Sequence, residues 1–458
     1  MRRWLTAGIG LLLVIGFAVS HVMRTTSMPA GAPAASSIQE FPPDPELARL
    51  ASRFIDLLDA QGYEEAVAMT TPEMVKALGA TSLQGIWLAL PAQLGQRQAR
   101  GEPRGQTLQG HDVVVQRLQF SSVALDARVV FDQEKRIAGF QLVPAAELPA
   151  APVRNEQFSE REIEVINGSV KLPATLSLPG GNGPFAAIVL VHGSGPHDRD
   201  ESLGPNKPFR DLAHGLAERG IAVLRYEKRT KASPDLFVGH TFTVDDETVD
   251  DALAAVADLR RQPEINAQRV FVAGHSLGAM MAPRIGERDA RLAGLILLAA
   301  PAHKLEDIML RQTRYLARLD GQSEADITRM LTEPEAQVRR IKQLDWFASD
   351  KSELFFGVPA SYWLDLNHYD PIEVARSLDM PLLILQGERD YQVTTEDEFA
   401  LWQAAFASTP RVKLIEYPGL GHTFMPASDP PGPDDYAVPA TVEAKVIEDI
   451  AAWIESIP

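Results

Sequence analysis

An α/β architecture accounts for most of this 458-residue chain: a mostly parallel sheet with helices on both faces, preceded by a smaller α+β domain. Three observations predict it. From residue 160 onward, continuous apolar runs such as residues 186–191 alternate with helical spacings, as strands buried on both faces alternate with crossover helices. Between about residues 304 and 372 the alternation stops, and a largely helical segment precedes a later core strand, as a cap inserted over a site would. Before residue 143, helical spacing gives way to a period of two, which places helices on one face of an antiparallel sheet.

Taken in order, Arg2 and Arg3 precede an apolar run from Trp4 to Val22 that holds no Lys, Arg, Asp or Glu. That pattern is an export signal. The run is also close to the roughly 20 residues that span a bilayer, so residues 1–22 read as a cleaved signal or a retained anchor. A periplasmic or secreted protein is expected, touching a membrane only through this segment. Residues 23–45 carry Pro29, Pro33, Pro42, Pro43 and Pro45 and read as an exposed tether without helix.

Residues 46–143 form the small α+β domain. Leu47, Leu50, Phe54, Leu57 and Leu58 predict a helix that Gly62 stops, with shorter helices over 64–69 and 72–78. Val113, Val115, Leu118, Leu125 and Val129 predict strands, as do residues 137–142. Nothing here has the spacing of paired acids, a metal site or a phosphate loop, and Phe54, Trp87 and Phe120 are expected in its core. Residues 144–159 read as a linker. The α/β domain then spans 160–458. Strands are predicted over 186–191, 221–226, 270–273, 295–298, 382–385 and 412–416, and helices over 210–219, 248–261 and 279–285.

Bulk chemistry narrows the function. With 44 Lys and Arg against 61 Asp and Glu, the net charge is −17. Such a surface repels phosphate backbones, which excludes nucleic acid as a partner. The absence of cysteine excludes disulfides, thiolate metal sites and a cysteine nucleophile. The histidines are scattered without ligand spacing, so no metal and no cofactor is expected.

The chemistry gathers around Gly274-His275-Ser276-Leu277-Gly278. This motif follows one predicted strand and opens one predicted helix. A sharp turn there lifts the Ser276 hydroxyl clear of the sheet, and the flanking glycines avoid a clash between strand and helix. A serine hydroxyl needs a base to take its proton. Where serine, acid and histidine follow in that order, the acid lies past strand 382–385 in Gln386-Gly387-Glu388-Arg389-Asp390, with Asp390 preferred over Glu388. His422, the only histidine after Asp390, lies in a Gly-rich loop past strand 412–416. Two N–H donors must hold the oxyanion. Leu277 supplies one; His192-Gly193-Ser194-Gly195-Pro196 supplies the other, from Ser194 or, as second choice, Gly193. His192 reads as a residue that braces this loop. The charged runs 198–201 and 225–230 are expected chiefly to hold loops rigid, with substrate binding as the alternative.

On these residues the chain resembles bacterial α/β-hydrolases of the exported-esterase and serine-aminopeptidase-like group, over about residues 160–458. The carrying motifs are 192–196 with Asp198-Arg199-Asp200-Glu201, then 225–230, 274–278 and 386–393. Glu227 stands where the group's pattern has Asp, and it keeps the charge. Residues 46–143 are similar to a small nuclear-transport-factor-like domain of unknown function. The expectation is hydrolysis of a small-molecule carboxylic ester through an acyl-enzyme. Two alternatives stay open: a peptidase or thioesterase with the same triad, reading a substrate amine through cap acids such as Glu306 and Asp307, and an exported binding protein whose N-terminal domain recognises a partner. Oligomeric state is not legible.

Overall fold

The structure, a computed structural model, describes residues 42–458 except 78, 81–82, 85–86, 88–89, 91–96, 109–110, 121–123, 146–151 and 238. The expected signal or anchor at 1–22 and most of the tether lie outside the described residues. Two compact units divide at residues 150 and 151.

The first unit opens on helix α1 (Pro45–Asp59), which buries Leu47, Ala51, Phe54, Ile55 and Leu58. Pro45, assigned from sequence to the tether, is the first helical residue instead. A proline's missing N–H has no partner to lose at that position, and Asp44 caps the helix by accepting the Glu46 N–H at 2.7 Å. Short helices α2 (Tyr63–Val67) and α3 (Pro72–Ala77) follow. Strands β1 (Arg97–Arg100), β2 (Arg104–Leu108), β3 (His111–Phe120), β4 (Ala124–Phe131) and β5 (Ile137–Pro144) make an antiparallel sheet in the order β1-β3-β4-β5, with β2 also on β3. Phe54, Trp87 and Phe120 share its core, as the sequence predicts.

The second unit is built on eight strands: β6 (Phe158–Asn167), β7 (Val170–Pro179), β8 (Phe185–Val191), β9 (Ile221–Tyr226), β10 (Ile265–His275), β11 (Gly294–Leu298), β12 (Leu382–Gly387) and β13 (Val412–Tyr417). Their order is β13-β12-β11-β10-β8-β9-β7-β6. The six from β13 to β9 pair in parallel, and β7 and β6 turn antiparallel at the edge. Helices α4 (Pro208–Ala217) and, at the C-terminus, Ala444–Ser456 pack one face through residues such as Phe209, Leu212, Val446 and Ile450. Helices α5 (Asp250–Arg260) and α6 (Leu277–Arg288) pack the other through Ala255, Leu259, Met281 and Ile285. The chain leaves β8 toward β9 on one side and returns to β10 on the other. This reversal opens a crevice at the C-terminal ends of β8 and β10, where sites in such sheets form.

The insertion before β12 holds helices α7 (Leu305–Leu319), α8 (Glu324–Lys342), α9 (Ala360–Asn367) and α10 (Pro371–Ser377), with a short hairpin ahead of α9. It docks on α6: Arg284 Nη1 lies 3.0 Å from Asp365 Oδ1, and Tyr369 OH donates to Met280 O at 2.7 Å.

Candidate active site

Ser276 follows β10 and caps α6 with φ 52° and ψ −117°, outside the regions an L-residue ordinarily adopts. The turn is held by its surroundings. The Ser276 N–H donates to Leu298 O at 2.9 Å. A Cβ on Gly274 would lie 2.1 Å from Gly278 O, and one on Gly278 would lie 2.2 Å from Val191 O. Both positions therefore require glycine, because strand, helix and neighbouring strand meet backbone to backbone.

Asp390 and His422 leave β12 and β13 at the same rim. His422 Nδ1 donates to Asp390 Oδ2 at 2.7 Å, and both side chains are buried. That bond puts the proton on Nδ1 and leaves Nε2 free to accept. Asp390 Oδ1 takes the Gln392 and Val393 N–H groups at 2.8 and 2.9 Å, so the carboxylate cannot rotate. Glu388 turns away and accepts the Gly419 N–H at 2.7 Å. Ser276 Oγ and His422 Nε2 are not hydrogen-bonded to one another, a separation common before substrate binds. The two loops are nonetheless tied, since His275 Nε2 lies 3.0 Å from His422 O.

The loop after β8 lies against Ser276: a side chain at Gly193 would meet Ser276 Cβ at 3.1 Å. Among the described residues, neither the Ser194 nor the Leu277 N–H has an acceptor. Gly193 does. Its N–H donates to Glu201 Oε1 at 2.6 Å, so the second-choice oxyanion donor is corrected: a charged acceptor already occupies it. His192 Nε2 lies 2.9 Å from Asp198 O, the bracing contact expected of it. Burial lowers the His192 pKa to about 3, so the ring is neutral at ordinary pH. No group of three or more His, Asp or Glu side chains among the described residues is arranged to hold a metal ion.

The family described as serine aminopeptidase, S33, matches residues 182–429. The chain belongs to this family of α/β-hydrolases. A family of unknown function matches residues 51–140 of this S33-family chain. Esterase EstD of Thermotoga maritima is 36% identical over 416 residues, covering 88% of the chain and 93% of the relative. Among solved structures, Est1E from Butyrivibrio proteoclasticus is similar with a TM-score of 0.42 and 18% identity, over 64% of this chain and 97% of its own. A 2,6-dihydroxy-pseudo-oxynicotine hydrolase is similar with a TM-score of 0.42 and 16% identity, over 65% and 67%.

Buried charge surrounds the S33-family site. Arg225 pairs with Asp200 and Glu160, and Arg199 pairs with Glu162 and, at 3.4 Å, with Glu227. These pairs pin the loop after β8 to β6 and β9, and Arg199 Nη1 also donates to Thr175 Oγ1 on β7 at 2.7 Å. Two further pairs reach the site itself. Glu201 Oε2 lies 2.9 Å from His275 Nδ1, and Lys228 Nζ lies 2.7 Å from both Glu247 Oε1 and Gly193 O. The sequence groups Glu201 and Lys228 with the loop-bracing charges. Their contact with the site depends on pairings across 74 and 35 residues, which no local spacing signals; the first separation is 275 − 201 and the second 228 − 193.

Proposed function

We propose that the chain hydrolyses carboxylic esters through an acyl-enzyme formed on Ser276. Ser276 attacks the ester carbonyl as His422 Nε2 takes its proton. The N–H groups of Leu277 and Ser194 hold the oxyanion. His422 then protonates the leaving alcohol, and water repeats the sequence on the acyl group. Asp390 fixes the His422 tautomer and stabilises the imidazolium that forms. The observation that supports this most strongly is the 2.7 Å bond from His422 Nδ1 to a fully engaged Asp390 carboxylate, at the rim where Ser276 stands in its strained turn. The 36% identity to an esterase across nearly the whole chain supports ester over amide. The family's description as aminopeptidases favours amide cleavage as the second reading.

A fluorophosphonate probe followed by a panel of short-chain esters, thioesters and aminoacyl amides tests both. Ser276→Ala is expected to lose labelling and about 10⁵–10⁶-fold in kcat. Ester hydrolysis that survives the substitution would end the assignment. Export directed by residues 1–22 belongs to the same proposal, and cell fractionation of the full chain checks it.

A further inference from the structure

We propose that Lys228 is a positioning residue for oxyanion stabilisation: by holding the Gly193 carbonyl it aims and polarises the Ser194 N–H on the opposite side of the same peptide unit. The inference rests on the reading of Ser276 as nucleophile and Ser194 as donor.

Lys228 follows β9, and its side chain is only 2% exposed. Its ammonium donates to Gly193 O at 2.7 Å and pairs with Glu247 at 2.7 Å. Glu247 in turn accepts from Tyr362 OH at 2.7 Å, in the inserted helix α9. In a trans peptide the carbonyl and the following N–H point in opposite directions. Whatever fixes Gly193 O therefore fixes the Ser194 N–H. The rest of the loop is already engaged. Glu201 takes the Gly193 N–H, His197 Nε2 lies 2.6 Å from Ser194 O, and Thr230 Oγ1 donates to Gly195 O at 3.3 Å. The Lys228 backbone N–H also holds His197 O at 3.1 Å. Ser194 is thus clamped with its N–H open, one residue after Gly193, which lies against Ser276.

The cation does more than hold. Drawing electron density onto Gly193 O leaves the peptide nitrogen more positive and its N–H a stronger donor, as linked hydrogen bonds polarise one another. The gain is largest when the acceptor carries negative charge, which happens only as the oxyanion develops. Lys228 should therefore act on kcat and leave KM nearly alone.

Steady-state ester kinetics, affinity for an alkyl boronic acid as tetrahedral analogue, and thermal melting test this on the full chain. Lys228→Met is expected to lower kcat by about 10–100-fold, a fraction of what deleting a whole donor costs. KM should change less than about threefold, and boronate affinity should fall in step with kcat/KM. The double variant Lys228→Met/Glu247→Gln removes both charges together and reads the same effect should the single variant fail to fold. Fluorophosphonate should still label Ser276 in either one. A folded double variant with kcat within about twofold of the parent would overturn the inference, as would a loss confined to KM with boronate affinity unchanged. Ester hydrolysis retained by Ser276→Ala would instead remove the underlying reading, and the inference with it.

Discussion

Glu388 and Asp390 leave the same strand two residues apart, yet they end in different surroundings. Asp390 is buried and accepts from His422, Gln392 and Val393, whereas Glu388 accepts only a loop N–H. Asp390→Asn should therefore cost about 10³–10⁴-fold in kcat by favouring the wrong imidazole tautomer. Glu388→Gln should stay within about threefold. Parallel kinetics on one ester check the pair, and a larger loss from Glu388→Gln would reverse the assignment.

His275 poses a second question at this scale. Its Nδ1 lies 2.9 Å from the Glu201 carboxylate and its Nε2 lies 3.0 Å from His422 O, surroundings that favour the protonated ring. Burial opposes both charges of the pair, but mutual attraction outweighs it: His275 is raised above its ordinary value and Glu201 is held at about 2. The Glu201 contribution to stability is present above its ordinary carboxylate pKa and is lost as pH falls toward about 2. The His275 contribution is complete below about 6.5 and is lost as pH rises through its raised value. Both terms hold together near pH 5–6. There Glu201→Gln should destabilise by about 3–5 kcal/mol, because it strands a buried imidazolium. The gap should narrow, without closing, on the alkaline side, where the parent's own His275 loses its proton but Glu201 still holds Gly193. Urea denaturation across that range checks this, and a gap independent of pH would contradict it.

At the scale of elements, the turn between β10 and α6 is the least forgiving join. Adding one methyl at Gly278 forces it into the β8 backbone, with no flexible side chain to yield. Gly278→Ala should cost about 3 kcal/mol or more and abolish fluorophosphonate labelling. An unchanged denaturation midpoint with full labelling would show that the turn tolerates relaxation. This join was legible because the motif states its own geometry. The parallel strands were legible for a related reason: a strand buried on both faces needs an unbroken apolar run. The β6–β7 hairpin was not. Half of β6 faces outward, and Glu160, Arg161, Glu162 and Glu164 give it the look of a loop. Glu160 is nonetheless buried beside Arg225 and His214, a pairing visible only once β9 is beside β7. Strands β1 and β2 carry no strand pattern in the sequence, because Arg97–Arg100 and Arg104–Leu108 have scarcely an apolar residue and depend on backbone bonds to β3. Glu201 and Lys228 depend on distant pairs in the same way, whereas chain order and strand ends single out Asp390 and His422 in the sequence.

The whole molecule separates its cores as it separates its chemistry. The first unit's apolar cluster ends at Leu142, and those of the second begin at Ile163. A domain with its own core and its own sheet carries the means to fold alone. Every residue assigned a role in ester hydrolysis, including the Glu201 and Lys228 supports, lies in the second unit. A chain starting at residue 152 should therefore remain folded and keep kcat/KM for a small soluble ester within about threefold of the full chain. Size-exclusion chromatography and steady-state kinetics on that variant decide the matter. A folded truncation that lost more than about tenfold would mean that the first unit takes part in the site, and the reading of a self-sufficient hydrolase unit would have to be given up.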